Sequence, residues 1–71
     1  MQRQPVQSSA LESIGYNAET HTLELEFKEH GGVWQYFNFK PSALKKFLGS
    51  PSLGNFFVTQ IKGKYKEKKV G

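Results

Sequence analysis

Seventy-one residues allow one domain at most, and the absence of cysteine removes disulfides, zinc knuckles and thiol nucleophiles together. The formal net charge is +4, and it is not spread evenly. Through Ile61 the positive residues Arg3, Lys28, Lys40, Lys45 and Lys46 are balanced by Glu12, Glu19, Glu24, Glu26 and Glu29, so the whole excess lies in Lys62, Lys64, Lys66, Lys68 and Lys69 against Glu67.

A neutral body with a basic end suggests an anionic partner or simple solubility, not a uniformly cationic surface. Residues 1–5 are polar and carry only Arg3, so they are expected to be a flexible N-terminus and not a signal peptide. No stretch approaches the ~20 apolar residues of a membrane span. A cytoplasmic protein, monomeric and without membrane contact, is the expectation.

Residues 10–16 (ALESIGY) read as a short strand ended by the turn-forming Asn17. Residues 22–27 (TLELEF) alternate strictly, with Leu23, Leu25 and Phe27 on one face and Thr22, Glu24 and Glu26 on the other. Gly31-Gly32 marks a turn, and the β-branched and aromatic run 33–39 (VWQYFNF) predicts a third strand. Short connections make these an antiparallel meander with the second strand in the middle.

Pro41 stops the sheet and suits the first turn of a helix, in which Leu44, Phe47 and Leu48 recur at helical spacing before Gly49. Ser50-Pro51 restarts the pattern, with Ser50 as the expected cap and Pro51 as the first helical residue. Leu53, Phe57 and Ile61 then form one stripe, widened by Phe56, and Gly63 is the expected stop. Gly54 inside this helix would be explained by a close packing contact, with the close approach of a ligand as the weaker alternative. The economical arrangement is an α+β fold, a three-stranded antiparallel meander packed on one face by two short C-terminal helices. The expected limits are the domain at 6–65 and a basic tail at 66–71.

The segments SSALESIGYN (8–17), GGVWQYFNF (31–39) and PSLGNFFVTQIKGKY (51–65) resemble the KTSC domain. This small module is named for its occurrence at the C-terminus of some lysyl-tRNA synthetases and also stands alone. The resemblance covers residues 6 to 70. The family's tyrosine–any–tyrosine motif corresponds to Trp34-Gln35-Tyr36, with tryptophan in place of the first tyrosine. The serine pair corresponds to Ser8 and Ser9, the glycine–tyrosine to Gly15 and Tyr16, and the proline–serine–any–glycine to Pro51, Ser52 and Gly54. The closing isoleucine and tyrosine correspond to Ile61 and Tyr65. Leu53 and Asn55 occupy positions often basic in the family, which removes two phosphate contacts from the last helix. The family's function is not established; the resemblance implies RNA binding only through its association with the synthetases.

No catalytic constellation is readable, and no enzymatic role is expected. Aspartate is absent, and His21 and His30 lie in separate predicted turns, so neither a base for Ser8 or Ser9 nor a metal site is expected. Structural hydrogen bonding is the expected role of the two serines. Gly31-Gly32 is not a phosphate loop, and no cofactor is implied. Glu24 and Glu26 share a strand face expected to be open to water, which would leave their acidity unchanged.

An aromatic base-stacking platform on the sheet fails on pairing. An even-numbered loop between strands two and three sets Phe27 opposite Trp34 and Leu25 opposite Tyr36, which puts both motif aromatics in the core. An odd one sets them beside two carboxylates. The first register is favoured, and it leaves Phe37 on the glutamate face.

What remains for nucleic acid is Lys62, Lys64, Tyr65, Lys66, Lys68 and Lys69, extended by Lys45 and Lys46, with RNA or tRNA as partner and no base specificity. For Tyr65, docking back on the domain is at least as good a reading as base stacking. The alternative is a protein-interaction module that uses an apolar patch of Val33, Phe37 and Phe39.

Overall fold

A computed structural model describes all 71 residues. The elements in chain order are β1 (Arg3–Pro5), β2 (Leu11–Asn17), β3 (Thr22–Phe27), β4 (Gly32–Tyr36), α1 (Pro41–Leu48), α2 (Leu53–Phe56) and β5 (Glu67–Lys69). A π-helical turn, Phe57–Ile61, continues α2 directly. The sheet has five strands in the order β1-β2-β3-β4-β5, every neighbour antiparallel.

The class is α+β, but the sheet is not the three-stranded meander that the periodicity predicts. Residues expected to be a flexible N-terminus and a free tail supply its two edges. Both edge strands are three residues long and polar, so neither has an apolar alternation to read. They exist because β2 and β4 offer unpaired backbone groups, and charged residues and proline are common at such edges.

Strand β3 pairs Leu23 with Tyr36 and Leu25 with Trp34 across a four-residue connection, 28–31. The connection is even, so Trp34 and Tyr36 share the leucine face, but each pair is shifted by two residues from the expected one. A bulge in β2 explains why its apolar residues do not alternate. Leu11 pairs with Phe27 and Ser13 with Glu26, leaving Glu12 as the extra residue, so that Leu11 and Ile14 both turn inward.

The buried cluster is Leu11, Ile14, Leu23, Leu25, Tyr36, Phe39, Phe47 and Ile61, with Leu44, Leu53, Phe56 and Phe57 packed around it. Phe39 is completely buried, which removes it from the exposed patch suggested with Val33 and Phe37. The reason is local. Asn38 takes the left-handed conformation (φ 58°), an arrangement asparagine tolerates, and the chain reverses face there. The Phe39 N–H then donates to the His21 carbonyl at 2.8 Å, and the Tyr16 hydroxyl donates to the Phe39 carbonyl.

Helix α1 has the predicted bounds, with Pro41 in its first turn. The start of α2 differs. Ser52 is the cap, its Oγ accepting from the Asn55 N–H at 3.2 Å. Ser50 instead folds around Pro51, its Oγ accepting from the Ser52 N–H and donating to the Ser52 carbonyl. A Cβ at Gly54 would lie 3.2 Å from the Ala10 Cβ, the close contact its position suggests. Gly63 ends the helical segment in the left-handed region (φ 76°).

Candidate functional site

The lysines of the C-terminal segment do not form one surface. Lys62 and Lys64 flank the Gly63 turn, and both are exposed. Lys66 leads into β5, its carbonyl accepting from the Phe37 N–H at 3.0 Å. Within β5, Lys68 pairs with Gln35 and Lys69 with Trp34, so strand alternation sends the two to opposite faces. Gly32 leaves room for Lys69, whose Cε would lie 2.8 Å from a Cβ there. Lys45 and Lys46 are exposed in the last turn of α1.

None of these lysines is ion-paired: both ion pairs of the molecule belong to Arg3. Tyr65 docks on the body, its ring centroid 5.0 Å from that of Phe39, and stays half-exposed. It meets Lys46 in a cleft of about 220 Å³ between α1, the π-helical turn and the segment before β5, whose other walls are Phe39, Ser42, Ala43, Phe56 and Gln60.

The motif aromatics contribute no open platform. Tyr36 is buried, 5.6 Å from the Phe57 ring. Burial pushes its phenol well above the usual range, helped by the nearby Glu67. Trp34 is half-buried against the core, its indole N–H donating to the Gly31 carbonyl at 3.1 Å. Burial also pushes the Tyr16 phenol up.

The sheet face away from the helices departs most from expectation. Register places Arg3, Gly15, Glu24, Gln35 and Lys68 in one row across all five strands. Arg3 lies over Gly15, where a Cβ would come within 2.9 Å of the Arg3 Cγ. Its Nη1 pairs with Glu24, and its Nε donates to Ser13 Oγ at 3.0 Å. Ser13 Oγ donates to Glu26 Oε1 at 2.8 Å, and Gln35 Nε2 donates to Glu24 Oε1 at 2.9 Å.

Glu24 is therefore buried, at 6% exposure, and not on an open surface. Burial by itself raises its pKa, but hydrogen bonds from Gln35 and Arg3, with the Arg3 charge, outweigh that and hold the carboxyl below its ordinary range. The cause is β1, absent from the predicted sheet. Arg3, Ser13 and Gln35 were missed because their meeting depends on strand order, and the only hint in the sequence is an isolated arginine facing two unpaired glutamates.

Ser8 is structural, its Oγ accepting from the Ala10 and Leu11 N–H groups at 3.1 and 3.2 Å. Nowhere do three or more His, Cys, Asp or Glu side chains gather as metal ligands would. No helix is long and apolar enough to cross a membrane.

Five antiparallel strands under a short helical layer, with the WQY segment in the inner strand beside the β5 edge, define a small α+β domain of the kind the sequence motifs indicate. The model of the KTSC domain matches residues 7–65, and the chain belongs to that family. A crystal structure of a KTSC domain protein from Yersinia pestis is similar over 99% of this chain and 97% of its own, with a TM-score of 0.93 and 43% identity.

An uncharacterized protein of Stutzerimonas stutzeri is 39% identical over 57 residues, 80% of this chain and 79% of its own length. A lysine–tRNA ligase of Nostoc punctiforme is 37% identical over 60 residues, 84% of this chain. The chain spans only 10% of that ligase, which therefore carries the module as a small part of a larger protein.

Proposed function

We propose that this domain is a non-catalytic binding module that holds RNA weakly by its phosphate backbone. The contacts are Lys62, Lys64, Lys66, Lys68 and Lys69, assisted by Lys45 and Lys46. The observation that carries this reading is that every one of these lysines is exposed and without an acidic partner, although the body of the domain is electrically balanced. A cation already paired has little to offer a phosphate, whereas an unpaired one releases counterions on binding. The presence of a related segment in a lysine–tRNA ligase supports RNA as the anion. Division of the lysines between two sheet faces and a turn favours a strand that wraps the β5 edge over a duplex lying on a flat patch.

Binding of a single-stranded RNA should weaken with salt, log affinity falling against log salt with a slope of about −3. Replacing the five C-terminal lysines with glutamine should flatten that slope. Absence of any binding at low salt would dismiss the reading.

A further inference from the structure

We infer that the cleft beside Tyr65 receives one unpaired nucleobase of the bound strand; this rests on, and deepens, the RNA-binding reading above. The molecule has three concavities, and they differ in chemistry. The recess at the β3–β4 turn holds Lys28 and Lys69, but Glu12, Glu26 and Glu29 stand in the same walls and offset their attraction for a phosphate chain. The cleft between residues 7–9 and the α1–α2 junction has neither an aromatic ring nor a cation in its walls.

The Tyr65 cleft alone combines aromatic walls, unengaged polar groups and a cation, with no carboxylate. Phe56 and Tyr65, both half-exposed, supply ring surface on which a base of any sequence can stack, with the buried Phe39 ring behind Tyr65. At its rim the side chains of Ser42 and Gln60 take part in none of the hydrogen bonds of the fold. A carboxamide offers both a donor and an acceptor, the pair needed to meet the edge of a base.

Gln60 stands in the π-helical turn, where the Lys62 N–H bonds to the Phe57 carbonyl at 2.8 Å. Such widened turns are rare and are often found at functional sites. Lys46 lies on one side of the cleft, and Lys64 and Lys66 adjoin Tyr65 in the chain, so the phosphates on either side of an inserted base meet positive charge. A volume of about 220 Å³ suits one ring system.

The test separates base from phosphate with two probes, followed by NMR on the full chain. Adenosine and uridine carry no charge, and inorganic polyphosphate carries no base. Millimolar nucleoside should shift the Gln60 side-chain amide and the Tyr65 ring signals in the wild type. Ala43→Leu, which adds bulk to a half-buried wall of the cleft without changing charge, should abolish those shifts. It should also weaken a short RNA by about tenfold while leaving polyphosphate binding unchanged. Gln60→Ala, at an exposed position, should weaken RNA in the same direction and guards against misfolding of the leucine variant.

Nucleosides that leave those signals unmoved would overturn the inference, whatever polyphosphate does. So would wild-type RNA affinity in both variants. Nucleoside shifts without polyphosphate binding would keep the cleft and reject the lysine contacts.

Discussion

The two edges of the sheet are alike in length and polarity and opposite in what they do with charge. Strand β1 delivers a guanidinium to Glu24, Glu26 and Ser13, and it closes the outer face of the sheet. Strand β5 is held by backbone pairing, and its two lysines remain free of acidic partners. A basic residue at an edge can therefore be structural or available, and the neighbouring strand decides which. Across from Arg3 lie a bare glycine and then a carboxylate. Across from Lys68 lies Gln35, whose amide is already committed to Glu24.

The largest effect should come from breaking the structural edge. Arg3→Ala strands a buried carboxylate, and a loss of about 2 kcal/mol is expected. That is less than for a fully enclosed pair, because the Arg3 side chain keeps 29% of its exposure. Urea denaturation should show a lower midpoint with an unchanged slope.

The same contact should appear in the response to acid. The folded carboxyl of Glu24 lies below its ordinary value of 4.5, so its contribution is present above that pH and is lost as pH falls through the folded value. Denaturation midpoints should therefore drop on acidification below about pH 4.5 in the wild type, and by less in Arg3→Ala. An equal drop in both proteins would place the acid-sensitive group elsewhere.

A smaller loss, about 1 kcal/mol, is expected for Gly63→Ala, which forces a side chain into the left-handed region at a site with no neighbour within 4 Å. Thermal unfolding would measure it, and RNA affinity should fall in parallel if the turn aims Lys62 and Lys64. The smallest effect sharpens the contrast between the edges. Lys68→Ala and Lys69→Ala should each change stability by no more than about 0.5 kcal/mol. A loss as large as that of Arg3→Ala would erase the distinction.

What could be read from the sequence followed from strong local signals. The alternation of 22–27 and the proline-to-glycine bounds of α1 reproduce β3 and α1. Either loop parity was open in the sequence, and preferring the register that keeps the aromatics with the apolar residues placed Trp34 and Tyr36 on the leucine face without fixing the pair of residues that meet. Two features were hidden because they depend on partners distant in the chain. Arg3-Gln4-Pro5 and Glu67-Lys68-Lys69 have no strand signature of their own, and only an existing edge recruits them.

Phe39 was misplaced because alternation assumes an extended chain, and one left-handed residue at Asn38 reverses it. The cleft at Tyr65 was half legible. Its lysines and tyrosine stand out by type, but Gln60, Ser42 and Ala43 carry no signal until two helices and the pre-β5 segment converge.

Strand order also bears on the sequence of folding events. Successive strands from β1 to β4 are joined by short connections, so their pairing closes only small loops. The β4–β5 pairing joins Tyr36 to Glu67 and must enclose both helices before it can form. Loop closure of that length carries a larger entropic penalty, and a three-residue strand returns few bonds for it. Strand β5 should therefore dock last and open first, with the fastest amide exchange of the five strands. Lys68 and Lys69 thus ride on the part of the sheet that can lift away while the remaining core stays folded.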